Sequence, residues 1–152
     1  LNSVIGALIA ALNDKDELLT KELMQIQSDL FAIGAWLATS SESKAAHALQ
    51  PLTDAPAARL EETIDRLDAG LEPLRQFILP GGHATAAWAH IARTVCRRTE
   101  RRLVALTGLM PVTSGDNFQH ALVFLNRLSD YFFVLARHCN KLSNVEDQPW
   151  EP

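Results

Sequence analysis

Apolar residues recur at alternating intervals of about four and three positions in five stretches of this 152-residue chain. That spacing places them on one face of an α-helix, and its near-heptad regularity is typical of helices packed side by side. The five apolar stripes are Leu1, Ile5, Leu8 and Leu12; Leu19, Leu23, Ile26, Leu30, Ile33 and Leu37; Leu60, Ile64, Leu67, Leu71, Leu74 and Ile78; Trp88, Ile91, Val95, Thr99, Leu103, Leu106 and Met110; and Phe118, Ala121, Leu125, Leu128, Phe132, Leu135, Cys139 and Leu142. No stretch alternates with the period of two that marks a half-buried strand. The pattern predicts an all-α fold, a left-handed five-helix up-and-down antiparallel bundle formed by a single domain over residues 1–142.

Short polar breaks, or breaks that contain proline and glycine, separate the stripes. Residues 13–16 follow the first stripe and supply carboxylates suited to the start of the next helix. Before the third stripe, Asp54 is in a position to cap a helix, and Pro56 suits its first turn. Pro80-Gly81-Gly82 ends the third stripe. Residues 143–152 carry no stripe, and we expect an irregular C-terminal tail there.

The composition narrows the class of protein. A content of 47% hydrophobic and 21% charged residues is enough for a core and excludes a disordered chain. The net charge of -4 argues against attachment to nucleic acid or to an anionic membrane surface. No apolar run approaches the ~18–20 residues that span a bilayer, and Cys96 and Cys139 form no disulfide framework. We therefore expect a cytoplasmic protein with neither a nucleic-acid nor a membrane partner.

The helix of the fourth stripe carries a concentration of arginines. At 100° per residue, Arg93, Arg97 and Glu100 fall within an arc of about 60° that lies opposite the apolar stripe. Guanidinium groups match phosphate oxygens bidentately and stay charged, and Glu100 is placed to orient an arginine or to help hold a metal. The alternative is a solvated charged face with ion pairs between successive turns, and helix geometry alone leaves both interpretations open.

Two more segments interrupt the regular pattern. Glycines at residues 81–82 permit the close approach of a ligand or a neighbouring chain, although an ordinary interhelical turn needs them too. The three consecutive aromatic residues at 131–133 cannot all face one core, so at least one should point to solvent, a partner subunit or a flat ligand. Polar residues in the same segment are also compatible with hydrogen bonds between helices. The five histidines show no close metal-ligand spacing, and neither cysteine has a CxxC partner, so structural roles are favoured for both residue types.

The same segments read FILPGG at residues 77–82, RTVCRRTER at residues 93–101 and LNRLSDY at residues 125–131. In this order and spacing they resemble the ATP:cob(I)alamin adenosyltransferases of the propanediol-utilisation type. QSDLFAIGA at residues 27–35 and LNS at residues 1–3 extend the resemblance over nearly the whole chain.

The resemblance implies a transferase that moves the 5′-deoxyadenosyl group of ATP to the cobalt of cob(I)alamin and yields adenosylcobalamin and triphosphate. It also implies a homotrimer with active sites between subunits, Mg²⁺ that accompanies ATP, and a B12-dependent enzyme that receives the product. Because the reduced cobalt is the nucleophile, the protein supplies orientation and electrostatics. The alternative is a non-catalytic cobalamin-binding or chaperone-like bundle that lacks the family's N-terminal phosphate loop. That loop precedes the position of Leu1, which lies within a helical pattern, and we expect further residues upstream.

The resemblance assigns four residues to the nucleotide. Arg93 and Arg97 would contact the ATP phosphates and act as the catalytic residues, because they stabilise charge on the leaving triphosphate. Glu100 would lie near the nucleotide or its metal, and Asn126 would hydrogen-bond to the nucleotide. No metal ligand is assigned to the protein itself.

The resemblance assigns three aromatic residues to cobalamin. Phe77 and Phe133 would form apolar walls against the lower face of the corrin ring, where they would exclude water beneath the cobalt. Removal of the axial ligands would favour a four-coordinate cobalt that is easier to reduce. Trp150 in the tail would close the corrinoid site.

Overall fold

The structure, a computed structural model, describes residues 1–12, 16–39, 43, 47–107 and 115–151. Within these residues the chain forms five α-helices, which are α1 (Asn2–Leu12), α2 (Glu17–Ala38), α3 (Ala55–Asp68), α4 (Ala84–Thr107) and α5 (Gly115–Leu142). The residues described contain no strand, only an isolated antiparallel bridge between Ile78 and Pro149. The predicted all-α, five-helix fold is confirmed. Predicted features at residues 13–15, 40–42 and 110–114 lie outside the described residues.

Two predicted helix starts are found where the sequence indicated them. Asp16 caps α2, since its carboxylate Oδ1 accepts a hydrogen bond from the Leu19 N–H at 2.9 Å. Pro56 lies in the first turn of α3, where its missing N–H has no cost. Asp54 precedes that helix, but its side chain makes no capping hydrogen bond, so the predicted cap is present in position only.

The third helix is shorter than its stripe predicted. It ends at Asp68, so Leu71, Leu74 and Ile78 lie beyond it in irregular backbone. Gly70 follows the last turn, and Pro73 lacks the N–H that a further helical turn needs. The apolar spacing after Asp68 was therefore wrong as an indication of helix, and it frees residues 69–79 to run along the outside of the bundle.

The helices pack around the bundle in the order α3, α5, α4, α1 and α2. α5 contacts α3 and α4, while α1 packs between α4 and α2. Ion pairs join α2 to α3: Arg59 binds Asp29 at 3.0 Å, and Arg66 binds Glu22 at 2.6 Å. The buried core contains residues of all five helices, including most of the predicted stripes of α1, α2 and α5. None of the described helices has a segment that is both long and apolar enough to cross a bilayer.

The buried face of α4 differs from its predicted stripe. Trp88, Ile91 and Leu106 are exposed by 36%, 44% and 40% of their surface. The residues of α4 that pack into the core are mostly small: Ala86, Ala89, Ala92, Cys96 and Leu103. Small side chains let two helix backbones approach closely, so α5 lies against this alanine face and the larger residues stay outside. The arginine face therefore borders the core of the bundle instead of lying opposite to it.

Candidate functional site

The junction of α4 and α5 brings predicted nucleotide and corrinoid residues into contact. The guanidinium carbon of Arg93 lies over the Phe133 ring, 5.3 Å from its centroid, in a cation–π contact. The His90 ring meets the same phenyl ring nearly edge to face, with centroids 6.4 Å apart. A residue assigned to ATP phosphates and one assigned to the corrin ring thus share one surface.

The predicted nucleotide residues continue along the same pair of helices. The Asn126 amide donates a hydrogen bond to the Glu100 carboxylate, with 2.9 Å between Nδ2 and Oε1. Arg97 lies on α4 between Arg93 and Glu100 and is exposed. Among the described residues, neither Arg93 nor Arg97 has a carboxylate within 4.0 Å. These two arginines therefore do not form the alternative predicted from the sequence, which was a charged face with ion pairs between successive turns.

The three consecutive aromatic residues of α5 divide as the sequence predicted. Tyr131 and Phe132 are fully buried and meet each other at 5.6 Å between centroids. Phe133 is only partly buried and is the ring that faces the arginine side of α4. Ser129, one turn earlier, is buried, and within the described part of the chain its hydroxyl has no hydrogen-bond partner.

Phe77 and Trp150, the other two predicted corrinoid residues, are in contact with each other. Their ring centroids are 6.4 Å apart at an interplanar angle of 73°, an edge-to-face pair. Phe77 is 78% exposed and Trp150 49% exposed, so both rings offer apolar surface to a ligand or a neighbouring molecule. The sequence separates these residues widely, and the bridge between Ile78 and Pro149 brings them together.

The close approach predicted at the two glycines occurs at one of them, and the partner lies within the same chain. Gly82 has a φ of +100°, a conformation that residues with a side chain rarely adopt. A Cβ atom there would lie 2.6 Å from Asn140 Nδ2, because the Asn140 side chain fills that space. A Cβ at Gly81 would meet nothing within 4 Å.

Sequence reasoning did not assign His90 to the site. Its side chain is buried, and among the described residues its Nε2 has no hydrogen-bond partner. Burial, followed by the charge of Arg93, lowers the pKa of His90, while the charge of Asp147 opposes this change. The ring is therefore kept neutral near Phe133. A lone histidine in a helix carries no signal in its spacing, so only its surroundings place it here.

The cysteines have the structural character that their spacing favoured. Cys96 is buried beneath the arginine face, and its thiol donates a hydrogen bond to the Leu125 carbonyl at 3.2 Å. Burial raises the pKa of the Cys96 thiol to about 12, with a smaller contribution from the Glu100 charge. In the parts of the chain that are described, no three His, Cys, Asp or Glu side chains are arranged to hold a metal ion.

Comparison with known proteins gives a family to this arrangement. The sequence model of one protein family, cobalamin adenosyltransferase, matches residues 1–139. The chain belongs to the cobalamin adenosyltransferase family. This confirms the resemblance found in the sequence and the predicted function of the family, adenosyl transfer from ATP to a corrinoid.

Individual family members agree over most of the chain. A corrinoid adenosyltransferase of Bacillus subtilis is 43% identical over 153 residues, which cover 99% of this chain and 75% of that protein. A corrinoid adenosyltransferase of Bos taurus is 40% identical over 140 residues, 91% of this chain and 56% of that protein. Among solved structures, a variant PduO-type ATP:corrinoid adenosyltransferase from Lactobacillus reuteri, complexed with cobalamin and ATP, superposes with a TM-score of 0.87 at 36% identity, covering 99% of this chain and 80% of that chain.

Proposed function

We propose that this protein transfers the 5′-deoxyadenosyl group of ATP to the cobalt of a reduced corrinoid. In this reaction the electron pair of Co(I) forms a bond to the C5′ atom, the C5′–O bond breaks, and triphosphate leaves with the electron pair of that C5′–O bond. The contact of Arg93 with Phe133 carries the proposal: a guanidinium group, which is suited to phosphate oxygens, lies 5.3 Å from the centroid of an aromatic ring, which is suited to a corrin face. The two substrates must meet at such a boundary.

Arg93 and Arg97 are proposed as the groups that hold the triphosphate. Without carboxylate partners among the described residues, their charges are available to an anion. Such charges stabilise the transition state more than they stabilise bound ATP, because negative charge grows on the leaving oxygen as the C5′–O bond breaks. Asn126 and Glu100 form one hydrogen-bonded unit beside them, suited to contact the nucleoside or the Mg²⁺ that enters with ATP.

Phe133, Phe77 and Trp150 are proposed as the apolar surface for the corrin ring. Exclusion of water beneath the cobalt would remove its axial ligand and favour reduction. Among the described residues the buried His90 Nε2 has no hydrogen-bond partner, and the His90 ring lies 6.4 Å from the Phe133 ring, so this nitrogen is suited to a polar group at the rim of a corrinoid. Leaving buried polar atoms unpaired is costly unless a ligand or water satisfies them.

A homotrimer with sites between subunits is proposed from the exposed side of α4. Trp88, Ile91 and Leu106 share an arc of about 60° and are each more than a third exposed. A second copy of this chain would cover them, as apolar residues on one helix face favour a partner. Ile91→Glu should lower the mass in light scattering to that of a monomer and reduce turnover with it. An unchanged mass would contradict this interface.

We also propose a cytoplasmic location and delivery of the product to a B12-dependent enzyme.

The test of the function supplies the full-length protein with ATP, Mg²⁺ and chemically reduced cobalamin and follows the absorbance of adenosylcobalamin. Arg97→Ala should lower kcat by about a hundredfold, in the range for loss of one group that stabilises transition-state charge. Arg101→Ala, which removes an exposed arginine of the same helix outside the assigned set, is the matched control. Failure of the full-length protein to turn over, with cobalamin still bound, would favour the non-catalytic binding bundle.

A further inference from the structure

The C-terminal tail is attached to the Phe77 segment by backbone hydrogen bonds. The Trp150 N–H donates to the Phe77 carbonyl at 2.8 Å, and the Leu79 N–H donates to the Gln148 carbonyl at 2.8 Å. These bonds flank the bridge between Ile78 and Pro149. The exposed aromatic pair therefore belongs to two short segments, joined by this isolated bridge, that lie outside the helices and need their own attachment to the bundle.

The end of α5 directs the chain into this tail. Asn144 has a φ of +52°, the left-handed conformation that commonly ends a helix. The Val145 N–H donates back to the Asn140 carbonyl at 2.9 Å, and the Asn144 N–H donates to the Lys141 carbonyl at 3.0 Å. This tight reversal brings Asp147 alongside the last turns of α5.

Asp147 is held there by two buried polar residues. Arg137 Nε donates to Asp147 Oδ2 at 2.9 Å, and Asn140 Nδ2 donates to Asp147 Oδ1 at 3.1 Å. Arg137 is 7% exposed and Asn140 2% exposed. Each oxygen of the carboxylate thus has its own donor, and both donors lie on α5.

The same two side chains also hold the segments on either side of Phe77. Asn140 Oδ1 accepts from the His83 N–H at 2.9 Å, and Asn140 Nδ2 donates to the Gly81 carbonyl at 3.2 Å. Arg137 donates to the Glu72 carbonyl at 2.6 Å. Both ends of the irregular segment that carries Phe77 are therefore bound to α5, as is the tail that carries Trp150.

A buried charged cluster is a weak source of net stability, since desolvation offsets its attraction, but it can fix geometry closely. We propose that Arg137, Asn140 and Asp147 are positioning residues that set the place of the Phe77–Trp150 pair at the corrinoid site. The inference rests on the proposed function and deepens it. In the described part of the chain, the hydrogen bonds of the cluster reach the segments that carry the aromatic pair and none of the residues assigned to the nucleotide, so its loss should affect the corrinoid far more than ATP.

The kinetic test compares Asp147→Ala with the wild-type protein. We expect the kcat/KM for reduced cobalamin to fall by about tenfold, as expected when a binding wall is misplaced, while the KM for ATP changes by less than about twofold. The matched control is Asp29→Ala. It also removes a carboxylate that binds an arginine, at 3.0 Å, but this ion pair joins α2 to α3, away from the tail. Asp147→Asn keeps the shape and one accepting oxygen and should recover part of the loss. Equal loss on both substrates, or no loss on either, would overturn the inference.

A second measurement is independent of turnover. Trp150 emission, taken as the difference between each protein and its Trp150→Phe counterpart, is quenched with acrylamide. The quenching constant of Trp150 should rise in Asp147→Ala and stay at the wild-type value in Asp29→Ala. Equal constants in all three proteins would refute the attachment. If the wild-type protein fails to transfer adenosyl but the quenching differs as expected, the proposed function is wrong and the positioning of the tail is still supported.

Discussion

Replacement of Gly82 by alanine tests how the loop before α4 is held. The added Cβ would lie 2.6 Å from Asn140 Nδ2 and 2.7 Å from its Cγ, and nearer still to Oδ1. The Asn140 side chain must move, which breaks its hydrogen bonds to His83 N, Gly81 O and Asp147 Oδ1. At about 1 kcal/mol for each of the three bonds and about 1–3 kcal/mol for the strained backbone, the free energy of unfolding should fall by about 4–6 kcal/mol.

The assay is thermal unfolding followed by circular dichroism at neutral pH. For a chain of this size, a loss of about 4–6 kcal/mol corresponds to a fall in Tm of about 10–20 °C. Gly81→Ala is the matched control, because its Cβ would meet nothing within 4 Å. That variant should leave Tm within about 2 °C, or raise it slightly through the lower entropy of the unfolded chain.

A double-mutant cycle with Asn140→Ala makes the reasoning refutable. If the clash is with the Asn140 side chain, Gly82→Ala should add only its backbone strain, about 1–3 kcal/mol, when that side chain is already absent. Additive effects would show that Gly82 is needed for another reason. A Tm for Gly82→Ala within about 2 °C of the wild-type value would refute the close approach itself.

Three further predictions follow from burial and charge in the bundle. Burial lowers the pKa of both His90 and His138, so the unfolded chain binds more protons than the folded chain below about pH 6.5. The free energy of unfolding should therefore fall as the pH drops through that range. Chemical denaturation at pH 7.5 and 5.5 should show a smaller fall for His138→Gln than for the wild-type protein. Burial raises the pKa of Cys96 and of Cys139, so neither thiol should react with a thiol reagent at pH 8 until denaturant is added, and rapid native labelling would contradict this. Phe133→Ala should raise the KM for reduced cobalamin by about tenfold while the KM for ATP stays within about twofold; equal changes in both would indicate a packing role only.

Periodicity in the sequence predicted the buried face of a helix correctly where large apolar residues form that face. In α1, α2 and α5 most residues of the predicted apolar stripes are buried, so spacing alone identifies the face that packs. The fourth helix shows where this fails. Its core face consists largely of alanines that carry little apolar signal, while Trp88 and Ile91 remain outside. Which face is buried there depends on how closely α5 approaches, and that distance is a property of two helices together.

The sequence by itself determined the helical fold, the arginine face of α4 and the family, because each depends only on the spacing of nearby residues or on contiguous motifs. Only the tertiary structure decided that Arg93 contacts Phe133, that Phe77 meets Trp150, and that Asn140 fills the space beside Gly82. These pairs lie far apart in the chain. Their contacts follow from how helix ends, turns and the tail are packed and hydrogen-bonded together, which no pattern along a single segment records.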